Sequence, residues 1–202
     1  MKLYQSIGPN PRAVTLFIAE KGLDIDRVEV DLRGGENRQP PHLARNPSGQ
    51  TPTLELDGGG HLSEVTAICE YLEEAQPEPP LIGRTREERA ETRMWTRRVD
   101  LRICEPMANG FRFGEGLAMF KDRVHCVPEA SPGLKAIAQN GEAWLEGQLT
   151  GPWIVGDRFT LADILLFAFI EFGGQVGQPL DPKFAKLTAW FERVKARPSA
   201  AG

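Results

Sequence analysis

The sequence contains few cysteines and histidines, and it has no long apolar run. Its cysteines, Cys69, Cys104 and Cys126, are far apart and form no Cys-x-x-Cys pair, so we expect reduced side chains in a cytoplasmic protein. The three histidines share no spacing typical of metal ligands, so no metal site is expected. No stretch of about 18 apolar residues occurs, and the first residues contain no signal-like segment. The sequence therefore predicts no membrane partner.

An excess of charge of one sign is also lacking. The 202 residues carry a net charge of −4, and this balance does not favour binding to nucleic acid. Hydrophobic residues make up 41% of the chain and charged residues 26%, which is typical of a globular protein. Three prolines within residues 77–80 exclude a helix there. We predict a domain over residues 1–76, a linker over 77–84 and a second domain over 85–202.

Strand and helix signals alternate in the first domain in the order βαβαββα. Alternating apolar residues predict strands over residues 2–5, 26–32 and 53–56 and from residue 61. The first helix is expected to have Pro11 in its first turn and to end at Gly22. Residues 34–45 are polar and rich in proline, which indicates a short helix or a loop. This order is that of a thioredoxin-like domain, so we predict an α+β fold for the first domain.

The second domain is predicted to be all-helical. Thr85 begins a charged helix that runs to about Cys104, and Pro106 is expected to kink or end it. Another amphipathic helix is expected over residues 134–149 and a last one over 187–200. Thr160 and Asp163 have the spacing of a capping box, and the helix after them is apolar on all faces, so we expect it to be buried.

The stretch of residues 46–72 is the most informative one in the sequence. A turn at 46–49 leads to a strand that Pro52 enters, a tight reversal follows at 57–60, and Ser63 is expected to cap the next helix. The run Asn-Pro-Ser-Gly-Gln-Thr-Pro-Thr-Leu followed by Leu-Ser-Glu-Val-Thr-Ala-Ile-Cys-Glu-Tyr-Leu closely resembles the signature of the glutathione transferase family. Residues 151–164 resemble the folding motif of that family's C-terminal domain. The resemblance covers nearly the whole chain.

The resemblance implies a glutathione site around a cis Pro52. The main chain of Thr51 would hydrogen-bond to the cysteinyl unit of glutathione, and Glu64 would contact the ammonium of its γ-glutamyl group. The family usually has serine after this glutamate, whereas this chain has Val65. The γ-glutamyl carboxylate would then depend on backbone N–H groups at the helix N-terminus.

The opposite end of glutathione is assigned by the same resemblance. Asn37 and Arg38 occupy positions near which the family often binds the glycyl carboxylate, and an arginine can do so with two parallel hydrogen bonds. Gln50 is assigned to the same part of the ligand. The alternative for Arg38 is an ordinary solvated cation in a loop. His42 is expected on the packing side.

The usual catalytic tyrosine, serine or cysteine is missing from the loop after the first strand. The sequence resembles an atypical bacterial and fungal subgroup in which the backbone, a helix N-terminus and water are thought to stabilise the glutathione thiolate. Asn10 is the first candidate for a group that acts on this thiolate, and Ser6 is a weaker one. The alternative is that Asn10 only caps the first helix.

The family also places a hydrophobic substrate pocket in the helical domain. Met107, Phe111 and Arg112 are the candidates for it, although aromatic residues at this spacing are also typical of a helix core. The helix that begins at Thr85 builds a two-fold contact in the family, so we expect a homodimer.

These features predict a glutathione transferase, an activity typical of detoxification. Glutathione would be the co-substrate, without a metal, and a small hydrophobic electrophile would be the second substrate. Two alternatives remain open at this point. One is a glutathione-dependent disulfide or peroxide reductase, and the other is a non-catalytic binding module with the transferase fold.

Overall fold

The computed structural model describes residues 1–201 and divides the chain into two compact units. The first unit ends at Pro80 and the second begins at Leu81. This division lies inside the segment 77–84 that the sequence predicts as a linker. No helix within the described residues is both long enough and apolar enough to cross a membrane.

The first unit contains a four-stranded mixed sheet with the strand order β2-β1-β3-β4. Strand β1 pairs in parallel with β2 and antiparallel with β3, and β3 pairs antiparallel with β4. The strands are β1 (Lys2–Gln5), β2 (Asp26–Glu29), β3 (Thr53–Glu55) and β4 (His61–Ser63). Leu3 and Leu54 are completely buried and face each other in this register. The short strands therefore share one hydrophobic core.

Helices connect and cover these strands. They are α1 (Pro9–Glu20), α2 (Pro40–Arg45) and α3 (Val65–Ala75), with a short 3-10 turn at Glu36–Arg38 before α2. Helix α1 buries Val14, Phe17 and Ile18, and α3 buries Ile68 and Leu72. The βαβαββα order predicted from the sequence is confirmed.

Three predicted boundaries in this unit are wrong. Helix α1 begins at Pro9 and has Gly8 as its N-cap, so Asn10 lies within the first turn and does not cap it. Strand β2 ends at Glu29 because the chain turns soon after Val30, whose N–H still bonds the Gln5 carbonyl at 2.7 Å. Helix α3 has Glu64 as its N-cap, whereas Ser63 pairs with Thr53 as the last residue of β4.

The proline-rich end of this unit is held by Lys21. The buried Lys21 ammonium pairs with the buried carboxylate of Glu73 and also donates to the carbonyl oxygens of Gln76 at 2.8 Å and Pro79 at 2.6 Å. A buried ammonium needs such partners because an uncompensated charge in a low-dielectric interior is very unfavourable. These contacts attach residues 76–79 to the first unit.

The second unit is built from helices, as predicted. They are α4 (Arg86–Val99), α5 (Glu105–Phe113), α6 (Leu117–Phe120), α7 (Ser131–Gln148), α8 (Leu161–Gln175) and α9 (Ala185–Lys195). Thr85 is the N-cap of α4 and accepts a hydrogen bond from the N–H of Glu88 at 3.1 Å, which confirms the predicted start. Helix α8 is buried over most of its length and forms the centre of the unit.

The long helix predicted to reach about Cys104 contains a wider turn. Residues Asp100–Cys104 form a π-helix between α4 and α5. Pro106 has no N–H to donate to the carbonyl of Arg102, and the loss of this bond accounts for a local change of helix type. Gly141 of α7 passes so close to this turn that an added Cβ would lie 2.3 Å from the Arg102 oxygen. The proline thus widens the helix without ending it.

The predicted capping box at the start of α8 is confirmed. The Thr160 hydroxyl accepts a hydrogen bond from Ala162 N, and the Asp163 carboxylate accepts one from Thr160 N at 2.9 Å. Asp163 is fully buried, and this burial raises its pKa to about 6 against the opposing effect of its hydrogen bonds.

Candidate functional site

The peptide bond between Thr51 and Pro52 is cis, as the sequence resemblance predicted. Pro52 directly precedes strand β3 and is buried, and Thr51 before it is 8% exposed. Pro52 has no N–H to donate, and its place just before the first residue of β3 means that no sheet hydrogen bond is lost.

Three strand ends meet around this peptide bond. Thr53 is paired with Tyr4 of β1 on one side and with Ser63 of β4 on the other. Continuing these antiparallel registers by one or two residues brings Thr51, Ser6 and Glu64 to the same end of the sheet. The topology therefore assembles three of the predicted site residues from distant parts of the sequence.

A network of buried amide and imidazole groups holds the loop that leads to Thr51. Asn46 Nδ2 donates to the Gln50 carbonyl at 3.0 Å and to Thr53 Oγ1 at 3.2 Å, and Asn46 Oδ1 accepts from the N–H of Ser48 at 3.1 Å. His42 Nε2 lies 2.9 Å from the same Gln50 carbonyl and donates to it in its Nε2-protonated tautomer. His42 is 2% exposed, which confirms its predicted place on the packing side.

Asn37 and Arg38 support the same loop from the 3-10 turn. Asn37 is 3% exposed and donates from Nδ2 to the Gly49 carbonyl at 2.6 Å. Arg38 is half-buried, and its Nη1 donates to the Ser48 carbonyl at 3.0 Å. Gly49 has a φ of +62°, and an added Cβ would lie 2.5 Å from Arg38 Nη1. This position therefore needs glycine both for its backbone and for the space that Arg38 occupies.

The main chain of Thr51 has no partner within residues 1–201. Neither its N–H nor its carbonyl oxygen takes part in a hydrogen bond there, although the Gln50 carbonyl before it is hydrogen-bonded and Thr53 after it is paired in the sheet. Unpaired main-chain groups in a largely buried residue are unfavourable unless something else satisfies them. A free donor and a free acceptor on one residue match one residue of an extended peptide.

Glu64 has an unusual backbone conformation at the start of α3. Its φ is +71°, the one positive φ among the non-glycine residues described in the structure. Such a conformation costs roughly 1–3 kcal/mol and is common at functional sites. The Glu64 side chain is exposed, and no side chain caps the first turn of α3. A carboxylate and a set of free helix N–H groups thus lie side by side.

Val65 is the first residue of α3, and its side chain is 8% exposed. The valine side chain therefore packs inward and adds no polar group to the surface of the site. Any contact that residue 65 makes with an anion has to come from its backbone N–H and from the helix N-terminus.

The loop between β1 and α1 presents a second helix N-terminus. Gly8 caps α1 with a φ of +123°, and no side chain bonds to the first-turn N–H groups. The side chains of Ser6 and Asn10 are half-exposed and have no hydrogen-bond partner within the described part of the chain. Both side chains are therefore available to a ligand, and Asn10 lies at the second position of the helix.

The three residues predicted for the substrate pocket differ in their surroundings. Met107 is 1% exposed, and its carbonyl accepts a hydrogen bond from Gln178 Nε2 at 3.0 Å. Phe111 makes an edge contact with Phe172 at a centroid distance of 5.2 Å. The guanidinium of Arg112 donates to Asn109 Oδ1 at 3.0 Å. Met107 is thus a core residue, while Phe111 and Arg112 are partly exposed.

Sequence reasoning missed the part that Asn46 plays and the conformation of Glu64. Asn46 was visible only as a turn residue, and the Asn-Pro-x-Gly spacing was the signal available for it. The positive φ of Glu64 had no local signal, because glutamate is not a residue that favours this conformation.

The fold and the site together define a thioredoxin-like domain with a peptide-sized main-chain site, followed by a helical unit. Two family models match this chain, described as the N-terminal domain of glutathione S-transferase over residues 7–75 and the C-terminal domain over residues 116–198. The chain belongs to the glutathione S-transferase family.

Individual members of this family are similar to this chain in sequence and in structure. Glutathione S-transferase 2 of Saccharomyces cerevisiae is 30% identical, and the match covers 95% of this chain and 84% of that protein. Maleylacetoacetate isomerase of Pseudomonas aeruginosa is 34% identical over 90% of this chain and 85% of that protein. The crystal structure of Gtt2 from Saccharomyces cerevisiae has a TM-score of 0.93 and 30% identity, and it covers 100% of this chain and 99% of that one.

Proposed function

We propose that this protein is a glutathione transferase, which binds glutathione, stabilises its thiolate and conjugates it to a small hydrophobic electrophile. The observation that carries the proposal is the free N–H and carbonyl of Thr51, next to the cis Pro52. In this proposal both groups pair with the cysteinyl unit of glutathione, as one strand residue pairs with another. The ligand fits because it supplies one acceptor and one donor to a residue that has neither satisfied.

The γ-glutamyl end of glutathione carries an ammonium and a carboxylate, and the start of α3 offers a complement to each. The Glu64 carboxylate would accept a charge-assisted hydrogen bond from the ammonium. The free N–H groups of the first turn, beginning with Val65, would bind the carboxylate, with the helix dipole adding to the attraction. Because no serine hydroxyl contributes here, we expect weaker binding of this carboxylate than in relatives that have one.

The glycyl end is assigned to Arg38 and Gln50. The guanidinium of Arg38 is half-buried beside the loop 48–50 and donates to the Ser48 carbonyl, so its positive charge lies next to Gln50. Asn37 has its amide nitrogen engaged with Gly49, so we propose that it acts by positioning this loop. The buried support from Asn37 and Asn46 would keep the Thr51 backbone in place for its ligand.

The thiolate would form beside the N-terminus of α1. A free thiol has a pKa near 8.5, and lowering it by two units requires only about 2.7 kcal/mol. The helix N-terminus supplies part of this energy, and one hydrogen bond from the Asn10 amide would supply much of the rest. Ser6 is the second candidate donor. Neither side chain is a nucleophile here, so the sulfur of glutathione itself attacks the electrophile.

The helical unit would contribute the surface that receives the electrophile. Phe111 and Arg112 remain the proposed contributors, since both are partly exposed. Met107 is buried and would contribute only by packing beneath this surface. We also propose that the protein works as a homodimer in the cytoplasm, in the detoxification of reactive compounds. Light scattering on the purified protein would test the homodimer.

Calorimetry with glutathione is the direct test of the proposed function. We expect binding of reduced glutathione and conjugation to a halo-nitroaromatic compound in a separate turnover assay. Absence of binding would overturn the transferase and favour the alternative of a non-catalytic module. Binding with disulfide exchange but without conjugation would favour the reductase.

The likeness to the maleylacetoacetate isomerase of Pseudomonas aeruginosa supports a second candidate, an isomerase that uses the same bound thiolate. The two activities share the glutathione site and differ in the second substrate. Conversion of maleylacetoacetate in the presence of glutathione, without a conjugate as product, would support the isomerase. A stable conjugate without isomerisation would support the transferase.

A further inference from the structure

The second unit contains a cavity of about 520 Å³ between helix α7 and the segment 177–182 that follows α8. Its size falls in the range of small-molecule sites in proteins, roughly 300–1,000 Å³. Much of its wall is apolar and comes from the side chains of Met107, Pro132, Ala138 and Leu180. All of its lining residues belong to the second unit, whereas Thr51 belongs to the first.

Glu142 of α7 lines this cavity and is 3% exposed. Its carboxyl group has no hydrogen bond and no ion pair within residues 1–201. The Glu142 oxygens are not among the fully enclosed atoms without a partner, so they open onto the cavity, where a bound group can reach them. Burial raises the pKa of Glu142 to about 7, and the negative charge of Asp181 adds to the increase.

A second unsatisfied acceptor lies next to the cavity but is closed off from it. Gln178 donates from Nε2 to the Met107 carbonyl, and this bond fixes the side chain with its Oε1 buried and without a partner. Gln178 and Glu142 line the same cavity from opposite segments of the chain. Because Gln178 Oε1 has almost no accessible surface, Glu142 is the one of these two groups that a ligand in the cavity can reach.

The other charged groups of the cavity are already compensated. Asp181 pairs with Lys183 at 2.6 Å, and Lys135 pairs with Glu115 at 2.5 Å. Glu142 is thus the charge of the cavity that no described residue neutralises. The oxygens are too few for a calcium ion, which takes six to eight oxygen ligands.

We propose that this cavity binds a small organic ammonium ion, whose N–H groups donate to the Glu142 carboxylate while its hydrocarbon part contacts the apolar wall. An ammonium fits because it brings several donors and one positive charge, and the cavity lacks both. A neutral alcohol of the same shape would satisfy one acceptor and leave the carboxylate without a counter-charge. The site does not depend on the proposed glutathione chemistry.

The first test compares benzylammonium with benzyl alcohol in calorimetry on the full chain at pH 7. We expect benzylammonium to bind at least tenfold more tightly than the alcohol. Glu142→Gln, which keeps the shape of the side chain, is expected to lower the affinity for benzylammonium at least tenfold. Glu129→Gln is the matched control, because Glu129 is exposed and does not line the cavity. Equal binding of both ligands would overturn the proposal.

A second readout is the proton that binding releases. Glu142 is about half protonated at pH 7, and a bound ammonium stabilises its carboxylate, so binding should release roughly half a proton. Calorimetry in two buffers with different ionisation enthalpies measures this number, and Glu142→Gln should abolish it.

Further measurements on the Glu142→Gln variant test the ammonium site and separate it from the transferase function. Binding of benzylammonium that is unchanged in Glu142→Gln, or an affinity too weak to detect in the original chain, would overturn the proposal. Glutathione affinity should be the same in the original chain and in Glu142→Gln, so a failure of this site is distinguishable from a failure of the transferase function.

Discussion

Asp163 in α8 accepts a hydrogen bond at Oδ1 from the indole Nε1 of Trp190 in α9, over 2.8 Å, in the interior of the helical unit. The same oxygen accepts from the N–H of Ile154 at 2.9 Å, and the other carboxylate oxygen accepts from Thr160. One side chain on α8 therefore satisfies donors on α9, at the N-cap of α8 and in the loop before it.

The first prediction concerns the stability of this arrangement. Asp163→Ala leaves buried donors without acceptors, so we expect the free energy of unfolding to fall by about 3 kcal/mol. Denaturant unfolding followed by circular dichroism measures the change. Asp157→Ala serves as control, since Asp157 is exposed in the same loop, and it should change stability by less than about 0.5 kcal/mol. A stable Asp163→Ala protein would contradict the structural role.

The second prediction concerns the pH dependence that Glu142 adds to stability. Its pKa is raised in the folded protein to about 7, from an ordinary value of 4.5, so the folded state holds this proton more tightly than the unfolded state. The favourable contribution of Glu142 to the free energy of unfolding is therefore fully present below about pH 4.5. It is lost as the pH rises through about 7. Glu142→Gln should be more stable than the original chain at pH 8 by about 3 kcal/mol, and the gain should vanish near pH 4.5. Unfolding curves across this range, with Glu129→Gln as control, measure the difference. A gain that is the same at all pH values would contradict the assignment to Glu142.

The third prediction tests the glutathione contact of Glu64. Glu64→Ala should lower glutathione affinity at least tenfold, because loss of a charge-assisted hydrogen bond costs about 1.5–3 kcal/mol. The fold should remain intact, since the Glu64 side chain is exposed. Asp24→Ala removes an exposed carboxylate elsewhere in the same unit and should leave affinity unchanged. If Glu64→Ala binds as well as the original chain, the γ-glutamyl ammonium is held by another group.

The fourth prediction separates binding from turnover at Asn10. If its amide stabilises the thiolate, Asn10→Ala should lower kcat for conjugation about tenfold, equivalent to about 1.4 kcal/mol, with little change in glutathione affinity. The thiolate of bound glutathione can be followed by its ultraviolet absorbance, and its pKa should rise in the variant. Ser6→Ala should give a smaller effect. Unchanged turnover would leave Asn10 without a chemical role, since it does not cap α1 either.

The fifth prediction concerns the support of the Thr51 loop. Asn46 connects Ser48, Gln50 and Thr53 through buried hydrogen bonds, so Asn46→Ala should lower both stability and glutathione affinity. We expect a loss of about 1–3 kcal/mol in unfolding free energy. Asn140→Ala, on the exposed face of α7, provides the control for an asparagine without such contacts. An affinity that survives a clear loss of stability would show that Thr51 does not depend on this network.

The sequence by itself determined the features that depend on neighbours in the chain. The hairpin of β3 and β4 follows from a glycine-rich reversal between alternating strands, and the capping box of α8 follows from the Thr160–Asp163 spacing. The resemblance carried by residues 46–72 further predicted the cis bond before Pro52. These signals are local because they depend on backbone conformations and side chains a few residues apart.

Only the tertiary structure decided the features in which distant residues meet. The amide of Asn37 turns inward and donates to the carbonyl of Gly49, twelve residues further along the chain. The cavity at Glu142 has the same origin, since one wall comes from α7 and the other from residues 177–182. Hydrogen bonds and burial between such segments form only when the chain folds, so no short sequence pattern encodes them.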